Sequence, residues 1–573
     1  MKQIGLVWRT IRHLTPRQLV HQMLTRLRGF SGFGRSWPGQ AKLRLPDHTI
    51  TGYFLTVPDA DKPISRTGKT FTFLNQSVCM TAIDWNHRDH SKLWTYNLNY
   101  FDFLNQWSDG SAGLAEETGR TVGPLLLIRD FIAQTNSLND GLEPYPTSLR
   151  IMNWVQFLSR NQIQDDAINR HLFAQADWLN RRFEYHLAGN HLLENGFALL
   201  TAALYFRHCT WFRRATKLVR VELLAQILAD GGHNERSPMY HQILLDRLLD
   251  VFLAVKHDTW QNDPTLIDFL EEKATRMLGW LDAITFRNGD VPMMNDAAFG
   301  IAPTTAQLRA KAAKVGLTNA WSNPWSVKTP TTGYRKFTFP RYELVADVGA
   351  IGPDHQPGHA HADTFSFVLI VDNQPLIVDS GTSTYETGPR RAWERSTAAH
   401  NTVDVMNINS SEVWAGFRVG RRARTTVLVD TPTTLTARHD GYRKLSVVHK
   451  RTWLVEPMRI QLTDRLTGTR AGTAVDQFGI ARLHFHPDVA VSLSKTGVRA
   501  GSARITFRPI SAPELKLTTY EMADGFNRLR TATCIEIAFT NYLETDITIH
   551  PLEVRQRVLN PPPHDNLVPD VLF

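Results

Sequence analysis

The stretch GHAHADTFSF, residues 358–367, places two histidines and an aspartate within five positions, directly before an apolar run. Imidazole and carboxylate groups transfer protons near neutral pH and bind divalent metals, so His359, His361 and Asp363 are candidates for catalysis or metal binding. They could equally be polar residues at the start of a strand. If the segment is extended, His359 and His361 point to the same side, because alternate residues of a strand share a face.

Another carboxylate and another histidine follow this stretch. Asp379 ends the next apolar run, and His400 precedes a further one. If these segments are adjacent strands, His361, Asp379 and His400 form a two-histidine, one-carboxylate set of the kind that zinc accepts. Ligands from separate strands would make such a site mainly structural, bracing the loop that carries His359. Spacing alone leaves metal binding open.

The stretch AGNHLLENGFALL brings several polar residues to the start of an apolar helix. Asn190 and Glu194 are one helical turn apart, and His191 lies three positions before Glu194. The almost wholly apolar continuation predicts burial, and buried polar groups need partners. The cluster is therefore either part of an active site or a capping arrangement.

In DGGHNERSPMYH, a glycine-rich loop leads into a helix. Ser237 and Pro238 have the residue types of an N-cap and a first helical position. Tyr240 then lies in the first turn, where the helix dipole favours negative charge and would suit a tyrosine that transfers protons. The alternative is a packed tyrosine whose hydroxyl caps a neighbour.

Residues suited to binding a sugar come earlier in the chain. In LEPYPTSLRIMNW, helical spacing puts Arg150, Asn153 and Trp154 on one face, which offers a cation, an amide and an aromatic ring to an acidic sugar. The same residues could instead pack the helix. The stretch LWTYNLNYFDFLNQW adds Tyr96 and Asn99, with the same ambiguity.

The elements that must position these residues divide the chain into two halves. Between about 90 and 315, six segments carry apolar residues at three- and four-residue spacing, and their short connections favour paired helices. Beyond 330, ten short β-branched and aromatic runs are typical of an antiparallel sandwich. We predict a multidomain α+β protein: an extension with a basic helix (1–90), a helical domain (91–330) and a β domain (331–573).

The composition of the chain indicates which classes of binding partner to expect. A net charge of +9 and a pI near 9.4 favour anionic partners, yet no nucleic-acid-binding module is recognisable. No apolar run approaches the roughly 20 residues of a membrane span. The first 30 residues are basic and helix-like, without the apolar core of a secretory signal. We expect a cytoplasmic or membrane-proximal protein, with the periplasm as the alternative and peripheral membrane contact through the basic helix.

Five motifs, in this order, resemble the heparinase II/III-like polysaccharide lyases: NHLLENGFALL, DGGHNERSPMYH, GHAHADTFSFVL, LIVDSGTSTY and RSTAAHNTV. They span residues 190–405. The resemblance implies an α/α-toroid, an incomplete barrel of helices, followed by an antiparallel β-sandwich. It also implies an acid–base site between the two domains.

The resemblance implies a catalytic role for five residues. Asn190 matches the asparagine that binds the uronate carboxylate, and His191 and Glu194 match the active-site pair beside it. Tyr240 matches the tyrosine that shuttles a proton. His359 matches the histidine that faces this tyrosine across the cleft.

The remaining matches concern a metal and the substrate. His361, Asp379 and His400 match the ligands of a metal, usually zinc, in the β domain, and no organic cofactor is implied. Asp363 is expected to be structural. Tyr385, which ends the fourth motif, is a further candidate for substrate contact.

Together these roles imply a carbon–oxygen lyase acting on a uronate-containing polysaccharide, a class that includes glycosaminoglycans, alginate and bacterial exopolysaccharides. A base removes the C5 proton, the bond to O4 breaks and a 4,5-unsaturated sugar results. Asn190, or a protonated Glu194, would stabilise the enolate-like charge. Two alternatives stay open: a non-catalytic binding or exopolysaccharide assembly protein on the lyase scaffold, and a metal-dependent hydrolase built around His361.

Overall fold

The computed structural model describes residues 2–30, 43–58, 65–106, 123–317, 331–468, 476–494, 497–509 and 514–550. Most of its helices precede the β domain. The helices are α1 (Lys2–Ile11), α2 (Pro16–Phe30), α3 (Lys92–Tyr100), α4 (Pro124–Gln134), α5 (Pro144–Arg160), α6 (Asp166–Asn180), α7 (Gly189–Tyr205), α8 (Cys209–Gln226), α9 (Pro238–Lys256), α10 (Pro264–Ile284), α11 (Thr305–Lys314) and α12 (Pro389–Glu394).

The strands lie mainly in the second half of the chain. They are β1 (Arg66–Thr67), β2 (Thr70–Phe73), β3 (Gln76–Cys79), β4 (Tyr334–Thr338), β5 (Tyr342–Asp347), β6 (Phe367–Val371), β7 (Gln374–Ile377), β8 (Val403–Val405), β9 (Val413–Trp414), β10 (Arg418–Val419), β11 (Thr425–Asp430), β12 (Thr434–His439), β13 (Val447–Glu456), β14 (Arg459–Gly468), β15 (Phe478–His484), β16 (Val491–Ser494), β17 (Gly497–Ala500), β18 (Ala503–Pro509), β19 (Glu514–Ala523), β20 (Leu529–Thr540) and β21 (Tyr542–Ile549).

The six helical segments predicted from periodicity are confirmed as α5 to α10. Helix α7 packs against α5, α8 and α9, and it is buried along almost its whole length because its sequence after Asn195 is apolar on almost every face. Its polar first turn is therefore held inside the protein. Phe71 and Trp85, from the predicted N-terminal extension, belong to the same hydrophobic core as these helices.

The predicted basic helix is in fact two helices, α1 and α2. Pro16 starts the second one, since proline suits a first helical turn but disfavours helix at the residue before it. Thr15 and Gln18 form a capping box, with the Thr15 backbone N–H donating to the Gln18 side chain at 2.9 Å. In the part of the chain that the structure describes, no helix is long and apolar enough to cross a lipid bilayer.

The β half is an antiparallel sandwich. One sheet has eight strands in the order β11-β12-β13-β14-β21-β18-β17-β16, and two sheets have four, β19-β20-β15-β8 and β4-β5-β6-β7. A bridge between Ile377 and Phe485 links the smaller sheets. Side chains from all three sheets, among them Phe367, Trp453 and Ile535, share one core, so the large sheet packs against the two smaller ones.

The helical and β halves meet at the outer face of the β4–β7 sheet. Trp280 and Ile284 of α10 pack against Val345 and Ile370. With the sandwich core on its other face, β6 is buried throughout. This double burial fixes the loops that enter and leave the sheet at the junction. The boundaries at residues 90 and 330 stay predictions.

Candidate active site

Tyr240 and His359, expected to be catalytic, are in direct ring contact. Tyr240 lies in the first turn of α9, where Ser237 is the N-cap as predicted and accepts the Tyr240 N–H at 3.2 Å. The two ring centroids are 3.8 Å apart with an interplanar angle of 26°. This stacking corrects the expectation that the residues face each other across a cleft, because no sugar ring fits between them.

The Tyr240 hydroxyl lies 3.1 Å from the hydroxyl of Tyr385. Tyr385 is thus a neighbour of Tyr240, and its contact with a substrate stays a prediction. Burial raises the pKa of Tyr240 well above its ordinary value, and Tyr385 and Asp296 raise it further. The helix dipole was expected to favour the phenolate, but burial and the nearby acids outweigh it. Tyr240 thus holds its proton at neutral pH and is poised to donate it.

Asp296 organises the site, although it was not singled out from the sequence. The carboxylate is fully buried and accepts from His359 Nδ1 and from His361 Nε2, each at 2.9 Å. Arg391 donates to both of its oxygens, one of them at 2.7 Å. Burial would raise the pKa of Asp296, but Arg391 and the two histidines hold it well below the ordinary range.

The hydrogen bond from Nδ1 to Asp296 defines the tautomer of His359. A neutral imidazole that donates from Nδ1 carries its lone pair on Nε2. That nitrogen is 3.5 Å from the nearest Glu235 oxygen and only loosely engaged. In this neutral form, His359 would be a proton acceptor beside the proton donor Tyr240. A polar Asn-Asp pair in the MMNDAAFG loop after α10 was the available sequence signal for Asp296.

The two histidines lie in a loop and not in the expected strand, since β6 begins only at Phe367. They still point to one side because both bind Asp296. The loop is tied to its neighbour by backbone bonds: Asp296 N–H donates to the His359 carbonyl at 3.0 Å, and His361 N–H donates to the Asn295 side chain at 2.9 Å. Tertiary hydrogen bonds therefore hold the two histidines on the same side, which strand geometry was expected to do.

Asn190 opens α7 next to the same site. Its backbone N–H donates to Glu235 Oε1 at 2.9 Å, so Glu235 caps the helix from another loop. Gly189, at φ +58°, makes this possible, because a Cβ there would lie 2.3 Å from that oxygen. Among the described residues, the buried side-chain oxygen of Asn190 has no hydrogen-bond partner. That oxygen is therefore available to a hydrogen-bond donor of a ligand.

His191 lines the opening of the site. Its side chain is 31% exposed, its Nδ1 lies 3.3 Å from Glu184, and its ring packs against Tyr145 at 4.4 Å between centroids. Burial disfavours a charge on His191, but Glu184 and further acids outweigh it and raise its pKa. Tyr145, in the first turn of α5, was not predicted from the sequence, since one tyrosine in a helix carries no pattern that separates site from core.

Glu194 lies one turn further into α7, near His191 and Arg247. It is fully buried, and neither carboxylate oxygen has a hydrogen-bond partner within the described ranges. Burial raises its pKa to about 7, although Arg247 opposes the shift. Near neutral pH a large fraction of Glu194 is protonated, as the expected donor role requires.

The raised pKa of Glu194 predicts a pH-dependent stability. Between the ordinary value of 4.5 and about 7, the unfolded chain loses this proton while the folded protein keeps it, so stability falls as pH rises. Glu194→Gln removes the effect, and its unfolding free energy relative to the parent should rise by roughly 3 kcal/mol between pH 4.5 and 8. Urea denaturation at pH 5 and pH 8 measures this. The exposed Glu271→Gln is the control, and a pH-independent gap for Glu194→Gln would contradict the prediction.

Four residues expected to bind sugar are instead buried in the helical core. Arg150 is 0% exposed and donates to Gln175 at 2.7 Å and to the Gly141 carbonyl at 2.8 Å. Three further residues are likewise enclosed: Asn99, Asn153 and Trp154. This corrects the expectation, since helical spacing defines a face but not whether it lines a cleft or a core. Tyr96, also expected at the cleft, is half-buried and donates to Glu143 at 2.6 Å.

The three expected metal ligands are neighbours. His400 Nδ1 lies 2.8 Å from Asp379 Oδ2, and the His361 and His400 ring centroids are 5.3 Å apart. His361 Nδ1 and His400 Nε2 are buried without a partner among the described residues, so two imidazole nitrogens are free to bind a metal. However, no three His, Cys, Asp or Glu side chains of the described segments are grouped to hold one. Zinc stays a prediction.

Asp363, expected to be structural, is buried in the same region. Burial and the neighbouring Asp347 raise its pKa well above the ordinary value. Its backbone carbonyl accepts the Ser366 N–H at 2.7 Å, which shapes the turn before β6. Within the described residues, no hydrogen bond or ion pair joins the Asp363 side chain to Tyr240 or His359. The structural role of Asp363 stays a prediction.

Comparisons with known proteins agree with this architecture. Among curated proteins, FtsZ-localized protein C of Caulobacter vibrioides is 28% identical over 312 residues, which is 49% of this chain and 50% of that protein. The chain thus matches about half the length of this relative. Two solved structures are similar over 82% of this chain and 79% of theirs: heparinase III (TM-score 0.62, 17% identity) and the heparan sulfate lyase HepC of Pedobacter heparinus (TM-score 0.55, 16% identity).

At these identities the structural likeness establishes the fold, a helical toroid followed by an antiparallel β-sandwich. Two protein-family models match the sequence and identify its family. The model described as Heparinase II/III N-terminus matches residues 147–314, and the model described as Heparinase II/III-like, C-terminal matches residues 323–552. Since the two models together match more than half of the sequence, this chain belongs to the heparinase II/III-like family.

Proposed function

We propose that this protein is a polysaccharide lyase that cleaves a uronate-containing acidic polysaccharide by β-elimination. One observation carries the proposal: a protonated tyrosine and a histidine whose Nδ1 is held by Asp296 lie side by side, in ring contact, at the junction of the two domains. Elimination needs this combination, since one proton leaves C5 and another reaches O4.

In the proposed mechanism His359 is the base and Tyr240 is the acid. His359 Nε2 takes the C5 proton while Asp296 holds Nδ1 and stabilises the imidazolium that forms. Tyr240 gives its proton to the leaving O4. The side-chain N–H of Asn190 and a protonated Glu194 donate to the uronate carboxylate as charge develops on it. Each positioned acid or base typically contributes about 10²–10⁴-fold to the rate.

The stacking of the two rings favours one stereochemistry. Groups in contact with each other reach a bound sugar from the same side, so the C5 proton and O4 must lie on the same face of the ring. D-Glucuronate and D-mannuronate have this arrangement, whereas L-iduronate and L-guluronate have the two groups on opposite faces. We infer a syn elimination that acts on the D-epimers.

A panel of four uronate polymers tests the function and its stereochemistry together. Unsaturated products absorb in the near ultraviolet, so absorbance should rise with heparosan or polymannuronate and stay flat with dermatan sulfate and polyguluronate. A rise only with the last two would refute the syn assignment. Saturated products whose formation a chelator abolishes would support the hydrolase instead.

We also propose that His361, Asp379 and His400 hold a structural zinc ion, supported by the two unpartnered imidazole nitrogens. Bound zinc would brace the loop that carries His359. We expect up to one equivalent of zinc in the purified protein, and added zinc should raise the melting temperature of the parent but not of His361→Ala. The control is His449→Ala, which removes a buried histidine that binds Asp464 and is not one of the three proposed zinc ligands. An equal zinc response in both variants, or no zinc uptake by the parent, would overturn the proposal.

The similarity to FtsZ-localized protein C supports a second candidate, a protein that keeps the lyase scaffold but works by binding an acidic polysaccharide. That relative is named for its location with FtsZ and not for a reaction. Binding to the panel polymers with no absorbance change would favour this role. A rise in absorbance that depends on Tyr240 would exclude it.

A further inference from the structure

Helices α1 and α2 carry an unusual apolar surface. On α1, Ile4 and Trp8 are 74% and 66% exposed, and on α2, Val20 and Met23 are 55% and 64% exposed. Each pair is spaced by three or four residues and so lies on one helix face. Three further exposed apolar side chains extend these faces: Val7, Leu19 and Leu24. A surface helix normally turns such a face toward the core.

The polar side of the two helices is the side that binds the rest of the protein. Arg9 forms a two-point ion pair with Glu412, at 2.7 and 2.8 Å, and Thr10 accepts from Trp414 Nε1 at 3.1 Å. On α2, the buried Gln18 donates to the His355 carbonyl at 3.1 Å. These contacts fix the orientation of both helices. Their apolar faces therefore point toward solvent.

The charge on the two helices has one sign. Residues 1–30 contain six Lys or Arg residues and no Asp or Glu. Arg17 and Arg26 on α2 are exposed, as is Arg12, which directly follows α1. Burial lowers the pKa of Arg421, just after β10, and the nearby Arg9 and Arg12 lower it further, although Glu412 opposes the shift. The cations of α1 thus continue onto the segment that follows the β9–β10 hairpin. An apolar stripe bordered by cations is complementary to anionic lipid.

We propose that α1 and α2 bind the surface of an anionic lipid bilayer, with Trp8 and Met23 inserted at the boundary between headgroups and acyl chains. A second copy of this chain fits the surface poorly. Two such faces would bring their cations together with no acidic side chain on either helix pair to offset the repulsion. Lipid phosphates supply the missing negative charge.

The bound lipid would lie close to the candidate active site. The β9–β10 hairpin that holds α1 also carries Phe417, whose ring is 6.1 Å from that of His359 and 5.2 Å from that of Tyr385. If the site acts as proposed, its substrate is therefore a polysaccharide presented at a membrane surface. This corollary rests on the proposed function, whereas lipid binding does not.

Vesicle flotation tests the proposal on the full chain. The parent should float with vesicles of phosphatidylglycerol and phosphatidylcholine, should not float with phosphatidylcholine alone, and should be released by salt. The double variant Trp8→Ser/Met23→Ser should lose at least about tenfold in partitioning, because it removes two large apolar side chains from the bilayer. The control Leu428→Ser/Leu493→Ser changes two exposed apolar residues of the large sheet and should bind like the parent.

Three outcomes would overturn the proposal. The parent could fail to bind anionic vesicles, or the control could lose as much binding as the test variant. Alternatively, sedimentation without vesicles could show that the parent is a dimer and that Trp8→Ser/Met23→Ser is a monomer, which would assign the surface to a second copy. Circular dichroism confirms that each variant is folded, and the absorbance assay, run separately, keeps a failure of lipid binding distinct from a failure of the proposed function.

Discussion

Replacing Tyr240 by phenylalanine is expected to lower kcat on a cleaved uronate polymer by about 10²–10⁴-fold, the contribution of one positioned acid. The phenylalanine ring keeps the stacking on His359, and the only described hydrogen bond lost is the one to Tyr385. Stability and polymer binding should therefore change little. The initial rate of the absorbance increase, with KM and the melting temperature, measures the effect.

Tyr385→Phe is the matched control for this prediction. It removes the same tyrosine–tyrosine hydrogen bond from the other side while leaving the proton of Tyr240 in place. A loss far smaller than that of Tyr240→Phe is expected, since the second variant changes the position and not the presence of the acid. Equal losses in the two variants would assign the effect to the hydrogen bond, and full activity of Tyr240→Phe would refute the assigned role.

Asp296→Asn should both destabilise the protein and abolish turnover. The substitution keeps the size of the side chain but leaves Arg391 buried, at 1% exposure, without a counter-charge. Breaking a buried ion pair in this way costs about 3–5 kcal/mol of unfolding free energy. The amide also keeps only one acceptor oxygen for the two histidines and has no charge to stabilise an imidazolium at His359, so the base is weakened.

The sandwich core offers a matched control in Asp464→Asn. Asp464 is buried and binds Arg451 at 2.7 Å and His449 at 2.6 Å, so it copies the charge pattern of Asp296 at a distance from the site. A similar loss of stability is expected, with kcat of the folded fraction unchanged. Unfolding in urea and kcat at low temperature separate the two effects, and equal kcat losses in both variants would show that Asp296 acts through stability alone.

The pH dependence of the Asp296 effect follows from the direction of its pKa shift. The folded-state pKa is depressed, so the stabilisation is complete above the ordinary value of 3.8 and is lost as pH falls toward the folded-state pKa. The stability gap between the parent and Asp296→Asn should therefore narrow below about pH 4 and stay constant above it.

Local patterns in the sequence were sufficient to predict most elements. Apolar spacing identified α5 to α10, and Ser237 with Pro238 marked the start of α9, because helix faces and caps depend on residues within one or two turns. Alternating runs identified the strands of the sandwich for the same reason. The ordered motifs of the family also identified Tyr240, Tyr385 and His359 as site residues. In the structure the side chain of Tyr240 contacts both of the others.

Tertiary structure alone decided how these residues meet. Asp296 binds Arg391, 95 positions away, and no local period links two loops so far apart. The spacing of Arg150 and Trp154 defined a helix face, but only the packing of neighbouring helices placed that face in the core. The sequence by itself thus determined the elements and the chemical groups, whereas long-range packing decided which groups are buried, which are paired and which proton each one carries.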